Sequence, residues 1–181
     1  MSELVFTVFP SELGWFALIG DGGSLRRLTF AHDSGTAAWK KIAVAEATEA
    51  GRRHWLQSLS RRLAAFAKGK ADDFLDVHLD FPRQTDFQHR VTEACRRIGW
   101  GESLSYGELG EQAGVRNGAR AVGNVMASNP LPIVVPCHRV LAAGGRLGGY
   151  SMGDEGLALK RRLLALEGHP RFADRPLAGV R

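Results

Sequence analysis

The chain has 181 residues, 44% of them hydrophobic and 24% charged; that balance fits one or two folded domains with a real core and excludes a disordered chain. No apolar run approaches the ~20 residues that span a bilayer, and the opening MSELVFTVF has an acid where an export signal carries basic residues. Lys and Arg number 24 against 19 Asp and Glu, for a net charge of +5, and residues from 86 onward carry 13 basic and 9 acidic side chains; a basic C-terminal half suits a phosphate-bearing partner.

In chain order, LVFTVF (4–9), GWFALIG (14–20) and LRRLTFA (25–31) are short apolar or alternating runs split by turn residues, which predicts an antiparallel meander. Residues 36–50 are Ala-rich and read as a weak helix. In HWLQSLSRRLAAFAKGK, Trp55, Leu59, Leu63 and Phe66 recur at helical spacing, with Gly69 as the stop. DVHLDF (76–81) alternates and reads as a strand ending before Pro82, and PRQTD reads as a linker. Beyond it the pattern turns helical. DFQHRVTEACRRIG puts Phe87, Val91, Cys95 and Ile98 on one face, with Asp86 as the expected N-cap. Ser105 followed by Glu108 is a capping-box pattern. SYGELGEQAG and ARAVGNVMASN, joined by VRNG, predict a helix-turn-helix. NPLPIVVPCHRV is too rich in proline to be helical throughout. After a glycine-rich loop comes a last helix, LALKRRLLALEG, with Leu157, Leu163, Leu164 and Leu166 as its apolar face and Gly168 as C-cap. The expected fold is α/β in two domains. Residues 1–85 form a small antiparallel sheet with helices, 86–169 a mostly helical domain with the helix-turn-helix, and 170–181 a tail.

The chemistry centres on Cys137, in PCHR. The chain's two cysteines, Cys95 and Cys137, cannot build a disulfide framework, and the absence of a CxxC pair argues against a structural zinc. A reducing cytoplasm is the expected compartment. A thiol becomes a nucleophile only as thiolate, which a neighbouring base or cation favours. His138 and Arg139 follow directly. Adjacency alone decides little, because neighbouring side chains often point apart and a free cysteine is commonly a small buried apolar group.

The wider pattern decides more. SYGEL, ARAVGNVMASNP, IVVPCHRV, GGY and LLALEG in this order resemble the O6-alkylguanine-DNA alkyltransferases, or methylated-DNA–protein-cysteine methyltransferases, over about residues 86–169. The resemblance implies that Cys137 accepts an alkyl group from guanine O6, and less readily from thymine O4, once and irreversibly. It implies that His138 takes the thiol proton through a water, that Glu167 holds the other ring nitrogen, and that Asn129 is a hinge between the DNA-binding helix and the acceptor segment. Tyr106 would press on the phosphate 3′ to the lesion. Arg120 would enter the stack in place of the flipped base, with the small residues Ala119, Ala121 and Gly123 allowing close approach in the minor groove. Val140, Tyr150 and Ser151 would line the base pocket.

The chain also departs from the family pattern. Thr92 stands where a Trp is usual, Gly99-Trp100 where a Pro-Cys pair is usual, and SMGDEG after Tyr150 is longer than expected, which bears on the alkyl groups admitted. The resemblance implies double-stranded DNA as partner, a monomer in the cytoplasm or on the nucleoid, no membrane, no cofactor and no metal. Two other classes stay open. A non-catalytic lesion-recognition protein would lack the acceptor cysteine. A cysteine hydrolase would use Cys137 and His138 on a small ester or amide and would turn over.

Overall fold

The computed structural model describes residues 4–43, 48–49, 54–81, 83–150 and 155–173. They fall into two compact units: residues up to Arg83 together with Pro130–Pro132, and Gln84–Asn129 with the chain from Ile133 onward. Among the described residues no helix is long and apolar enough to cross a membrane.

The first unit is a mixed sheet with helices. β1 (Val5–Phe9), β2 (Trp15–Asp21) and β3 (Ser24–His32) form the expected antiparallel meander, with β2 in the middle. Alternation along β2 explains why it is buried on both faces. Ala17 and Ile19 pack with Ala38 and Ile42 of α1 (Gly35–Ile42). Phe16 stacks between Phe9 and Phe30. Gly20 is in line with Phe16 and Leu18, and a Cβ there would lie 2.3 Å from the ring of Trp55 on α2 (His54–Phe66). The Leu59, Leu63 and Phe66 stripe of α2 is buried as its spacing predicts.

Two expectations in this unit fail for local reasons. The Ala-rich stretch is helical only to Ile42; Ala43 turns extended, and β4 (Thr48–Glu49) pairs parallel to β1. Residues 76–81 are not a strand and make a single bridge, Leu25 to Leu79. Ahead of them Asp72 and Asp73 accept the N–H groups of Phe74 and Leu75, and Arg62 grips both Asp72 and Asp76. Such side-chain bonds offer the backbone an alternative to a ladder.

The second unit is mainly helical: α3 (Asp86–Arg96), α4 (Tyr106–Gln112), α5 (Ala119–Ala127) and α6 (Gly156–Leu166), with a two-stranded parallel pair, β5 (Leu104–Ser105) and β6 (Val140–Leu141). The predicted helix-turn-helix is α4 and α5. Ser105 caps α4 in a complete capping box with Glu108. Val91, Cys95 and Ile98 are buried as predicted. The N-cap of α3 is Thr85 rather than Asp86, because a threonine one residue earlier has Gln88 at N3 and so closes a reciprocal box that Asp86 cannot. On α6, Leu163 and Leu164 are buried, but Leu157 is 49% exposed and Lys160 is fully buried. The start of the expected tail is packed: Phe172 joins Leu141 and Leu164 in a small apolar cluster. Residues 174–181 lie outside the described residues.

Thr85→Ala is expected to destabilise the protein by ~1 kcal/mol in urea unfolding, the usual worth of an N-cap side chain. Asp86→Ala, which removes only a first-turn charge, should cost no more than a few tenths.

Candidate active site

The acceptor segment is built by sequence rules that forbid a regular element. Proline at 130, 132 and 136 breaks both helix and ladder, yet every residue from Leu131 to Leu141 is buried. Ile133 is held at φ 76, where a β-branched residue is strained. Such strain persists only where the surrounding structure imposes it. The segment ends in a 3-10 turn, Cys137–Arg139, that runs straight into β6. Pairing of β6 with β5 fixes this turn beside the start of α4, where Tyr106 stands.

Within the turn, Cys137 and His138 go to different partners. The Cys137 sulfur accepts a hydrogen bond from Asn129 Nδ2 at 3.1 Å, and the same amide nitrogen donates to Val135 O at 2.9 Å. His138 Nε2 meets Glu167 Oε1 at 2.8 Å, both side chains fully buried. Arg139 closes the arrangement. Its Nη2 donates to Glu167 Oε1 at 2.8 Å, its Nε to Oε2 at 2.9 Å, and its Nη1 to the carbonyl of Ile98. The backbone N–H of Gly101 reaches Glu167 Oε2 at 3.3 Å.

Burial would raise the Glu167 carboxyl, but the bonds from His138 and Arg139 outweigh it and bring it down to about 2. Glu167 is therefore a carboxylate, and the imidazole nitrogen facing it carries the proton. Burial pushes His138 down, against the pull of Glu167, so the ring is neutral. Burial also raises the Cys137 thiol; Asn129, Lys160 and the cysteine's own N–H oppose this.

Lys160 is the residue the sequence reading missed. Its ammonium donates to Val140 O at 2.6 Å and Gly149 O at 3.1 Å and lies 5.7 Å from the Tyr106 ring centroid and 6.0 Å from that of Tyr150. Burial lowers it to about 8, with the two cysteines acting in the other direction. A lysine on an otherwise leucine-rich helix looks like a solvated side chain in sequence. The only available signal was its place on the stripe: three and four residues before Leu163 and Leu164.

Of the predicted residues, Asn129 is thus bonded to Cys137 and Glu167 to His138, as two separate pairs on one turn. Tyr106 Oη donates to Gly149 O at 3.4 Å, next to Tyr150. The Tyr150 hydroxyl is buried next to the Cys137 thiol, and burial, with that neighbour acting in the same direction, raises it well above the ordinary tyrosine range. Val140 is buried, and its carbonyl already accepts one bond from Lys160. Ala119, Arg120 and Ala121 are exposed on α5, and a Cβ at Gly123 would meet nothing within 4 Å. Ser151 lies outside the described residues.

Residues 86–169 match the family model "6-O-methylguanine DNA methyltransferase, DNA binding domain". The chain is 36% identical to a methylated-DNA–protein-cysteine methyltransferase of Methanosarcina acetivorans, over 91% of this chain and 99% of that one. The chain belongs to the methylated-DNA–protein-cysteine methyltransferase family. A Mycobacterium tuberculosis member is 37% identical over 90% of this chain and 91% of its own. The crystal structure of Mycobacterium tuberculosis OGT in complex with DNA superposes with a TM-score of 0.75 at 34% identity, covering 97% of this chain and 99% of that one. The O6-methylguanine-DNA methyltransferase of Pyrococcus kodakaraensis gives a TM-score of 0.65 at 28% identity, over 91% and 99%.

Replacing Glu167 by Gln leaves Arg139 as a buried charge without its counterion, a loss on the order of 3–5 kcal/mol. The carboxyl ionises at about 2 in the fold, below its unfolded value, so its stabilising contribution is complete above that unfolded value and fades as pH falls toward 2. Thermal melting of Glu167→Gln should therefore lie well below wild type at neutral pH. The gap should narrow steadily below about pH 5.

Proposed function

We propose that this protein repairs DNA by moving the alkyl group of O6-alkylguanine, and less readily of O4-alkylthymine, to its own Cys137. The observation that carries the reading is the buried run Asn129–Cys137, His138–Glu167 and Arg139–Glu167. It holds a nucleophile, a neutral base and the group that orients the base.

The ionised Glu167 keeps the proton on Nε2 of His138, so Nδ1 is the nitrogen that takes the thiol proton, through one water. The thiolate attacks the alkyl carbon in line with the C–O6 bond. A carbon–sulfur bond forms as the carbon–oxygen bond breaks. The electron pair leaves with guanine O6, and a proton restores the normal base. The ammonium of Lys160 favours the thiolate as charge appears on sulfur. The acceptor is a side chain of the protein itself, so no cofactor or metal takes part. A thioether has no route back to thiol under these conditions, and each molecule acts once.

A guanine stacked in a duplex cannot reach the side chain of a cysteine that is only 4% exposed, so the nucleotide must be flipped out at a cost of a few kcal/mol. On our reading, residues 86–169 carry both tasks. α5 enters the minor groove, where small Ala119, Ala121 and Gly123 permit close contact. Arg120, planar and rich in donors, fills the gap in the stack. Tyr106 presses on the phosphate beside the lesion, and Val140, Tyr150 and Ser151 receive the base. The Mycobacterium tuberculosis relative solved with DNA supports the partner assignment. The protein acts as a monomer in the cytoplasm or on the nucleoid, with residues 1–85 as a partner domain.

Intact-mass measurement after mixing with an O6-methylguanine duplex should show one added methyl per chain, mapped to Cys137, with the guanine restored. Cys137→Ala should bind the duplex and transfer nothing. Repeated turnover with unchanged protein mass would point instead to a hydrolase. For the DNA-binding helix, Arg120→Ala should slow repair within duplexes by at least ~10-fold and leave the reaction with free O6-benzylguanine nearly unchanged, because only the duplex requires flipping. Equal losses on both substrates would remove Arg120 from that role.

A further inference from the structure

The buried carboxylate of Glu167 is held from more than its own neighbourhood. Arg139 and His138 are adjacent in one turn. Gly101 belongs to a different segment, the connection between α3 and β5, 66 residues earlier in the chain. That connection touches both members of the buried ion pair: Ile98 O accepts from Arg139, and Gly101 N–H donates to Glu167 Oε2. It is braced within itself. Glu102 N–H donates to Gly99 O at 3.1 Å, and Gly99 N–H donates to the Glu102 carboxylate at 3.1 Å. Gly101 sits at φ +73, and a Cβ there would lie 2.9 Å from the backbone oxygen of Glu167. Only glycine brings its N–H this close.

We infer that the turn from Ile98 to Glu102 is a positioning element of the acceptor site, working through the Gly101 N–H on Glu167 and from there through His138 on Cys137. The inference rests on the proposed transfer reaction and adds a component to it that acts through a backbone N–H. Its physical content is rotational. A carboxylate turns about its terminal bond unless both oxygens are held. Oε1 must stay on the imidazole for Nδ1 to remain the proton acceptor. Arg139 holds both oxygens, Oε1 through Nη2 and Oε2 through Nε at 2.9 Å, and the Gly101 N–H adds a second hold on Oε2 from a separate segment of the chain.

The test is Gly101→Ala, compared with Gly23→Ala. Gly23 also has a left-handed backbone, at φ +99, but stands in the β2–β3 turn with nothing within 4 Å of a Cβ. Transfer to Cys137 is followed from pH 6 to 9 with free O6-benzylguanine and with an O6-methylguanine duplex, alongside affinity for undamaged duplex and thermal melting. Gly101→Ala should lower the transfer rate on both substrates by ~10-fold or more, the scale of a small misplacement of reacting groups. Its pH–rate profile should move to higher pH, as the thiol loses its base, while DNA affinity stays at the wild-type level. Gly23→Ala should lower only the melting temperature. Should Gly101→Ala melt below assay temperature, Glu102→Ala carries the test: it removes the brace on the exposed side of the turn and should shift the profile in the same direction. A wild-type rate and profile in the folded variant would overturn the inference and leave the proposed reaction standing. A wild type that never alkylates Cys137 would sink both.

Discussion

A charged carboxylate at the centre of an apolar domain is the constraint around which the second unit is arranged. Glu167 has no exposed side-chain surface. An isolated buried charge of this kind would cost several kcal/mol. The fold meets that cost with donors from three places: Arg139, His138 and the Gly101 backbone. Those bonds dictate much else. They require α6 to end where the PCHR turn passes, they fix which imidazole nitrogen bears a proton, and they tie the α3–β5 connection to the acceptor. Arg139, which directly follows the Cys137–His138 pair, is itself only 2% exposed.

The same dryness shapes the nucleophile. In water a thiol needs little help to ionise near neutral pH, but here burial opposes the thiolate, and Asn129 and Lys160 offset only part of that penalty. The resting site therefore holds a protonated thiol beside a neutral imidazole. Such a pair is stable until the proton can move. A substrate that brings an electrophilic carbon into line, with a water to relay the proton, supplies the missing element. The site thus separates storage of the nucleophile from its activation, as a protein with one chance to react requires.

Sequence alone revealed the chemistry better than the scaffold. PCHR and SNP are contiguous strings, yet adjacency alone decided little, and the roles of Cys137, His138 and Asn129 came from the resemblance. Glu167 was legible only through the resemblance, since an acid near a helix end is ordinary. What stayed hidden depends on long-range geometry. Lys160 is drawn inward by two carbonyls, those of Val140 and Gly149, that no local pattern announces. Gly99-Trp100 was noticed as a departure bearing on packing, yet the turn it begins holds the site's carboxylate. In the first unit, the 76–81 strand failed because alternation says nothing about Arg62, which ties Asp76 at its start to Asp72 four residues earlier. Cap assignment failed by one residue because periodicity locates a helix but side-chain bonding selects its boundary.

Single use follows from the same arrangement. Regenerating the cysteine would need a second nucleophile at the alkyl carbon, with a thiolate as leaving group. Among the described residues around the sulfur, Asn129 is an amide, burial holds the Cys95 thiol and the Tyr150 hydroxyl in their neutral forms, and Lys160 is engaged with two carbonyls. The features that let one transfer proceed in a closed, water-poor site are also those that keep hydrolysis out. Alkylation then changes the group that Asn129 faces, from a thiol sulfur that accepts its amide proton to a bulkier thioether. Asn129 lies two residues beyond α5 and also holds Val135 O. Added volume at Cys137 therefore meets a side chain that links the acceptor segment to the end of the exposed helix, and in a close-packed interior that volume has to be accommodated by movement.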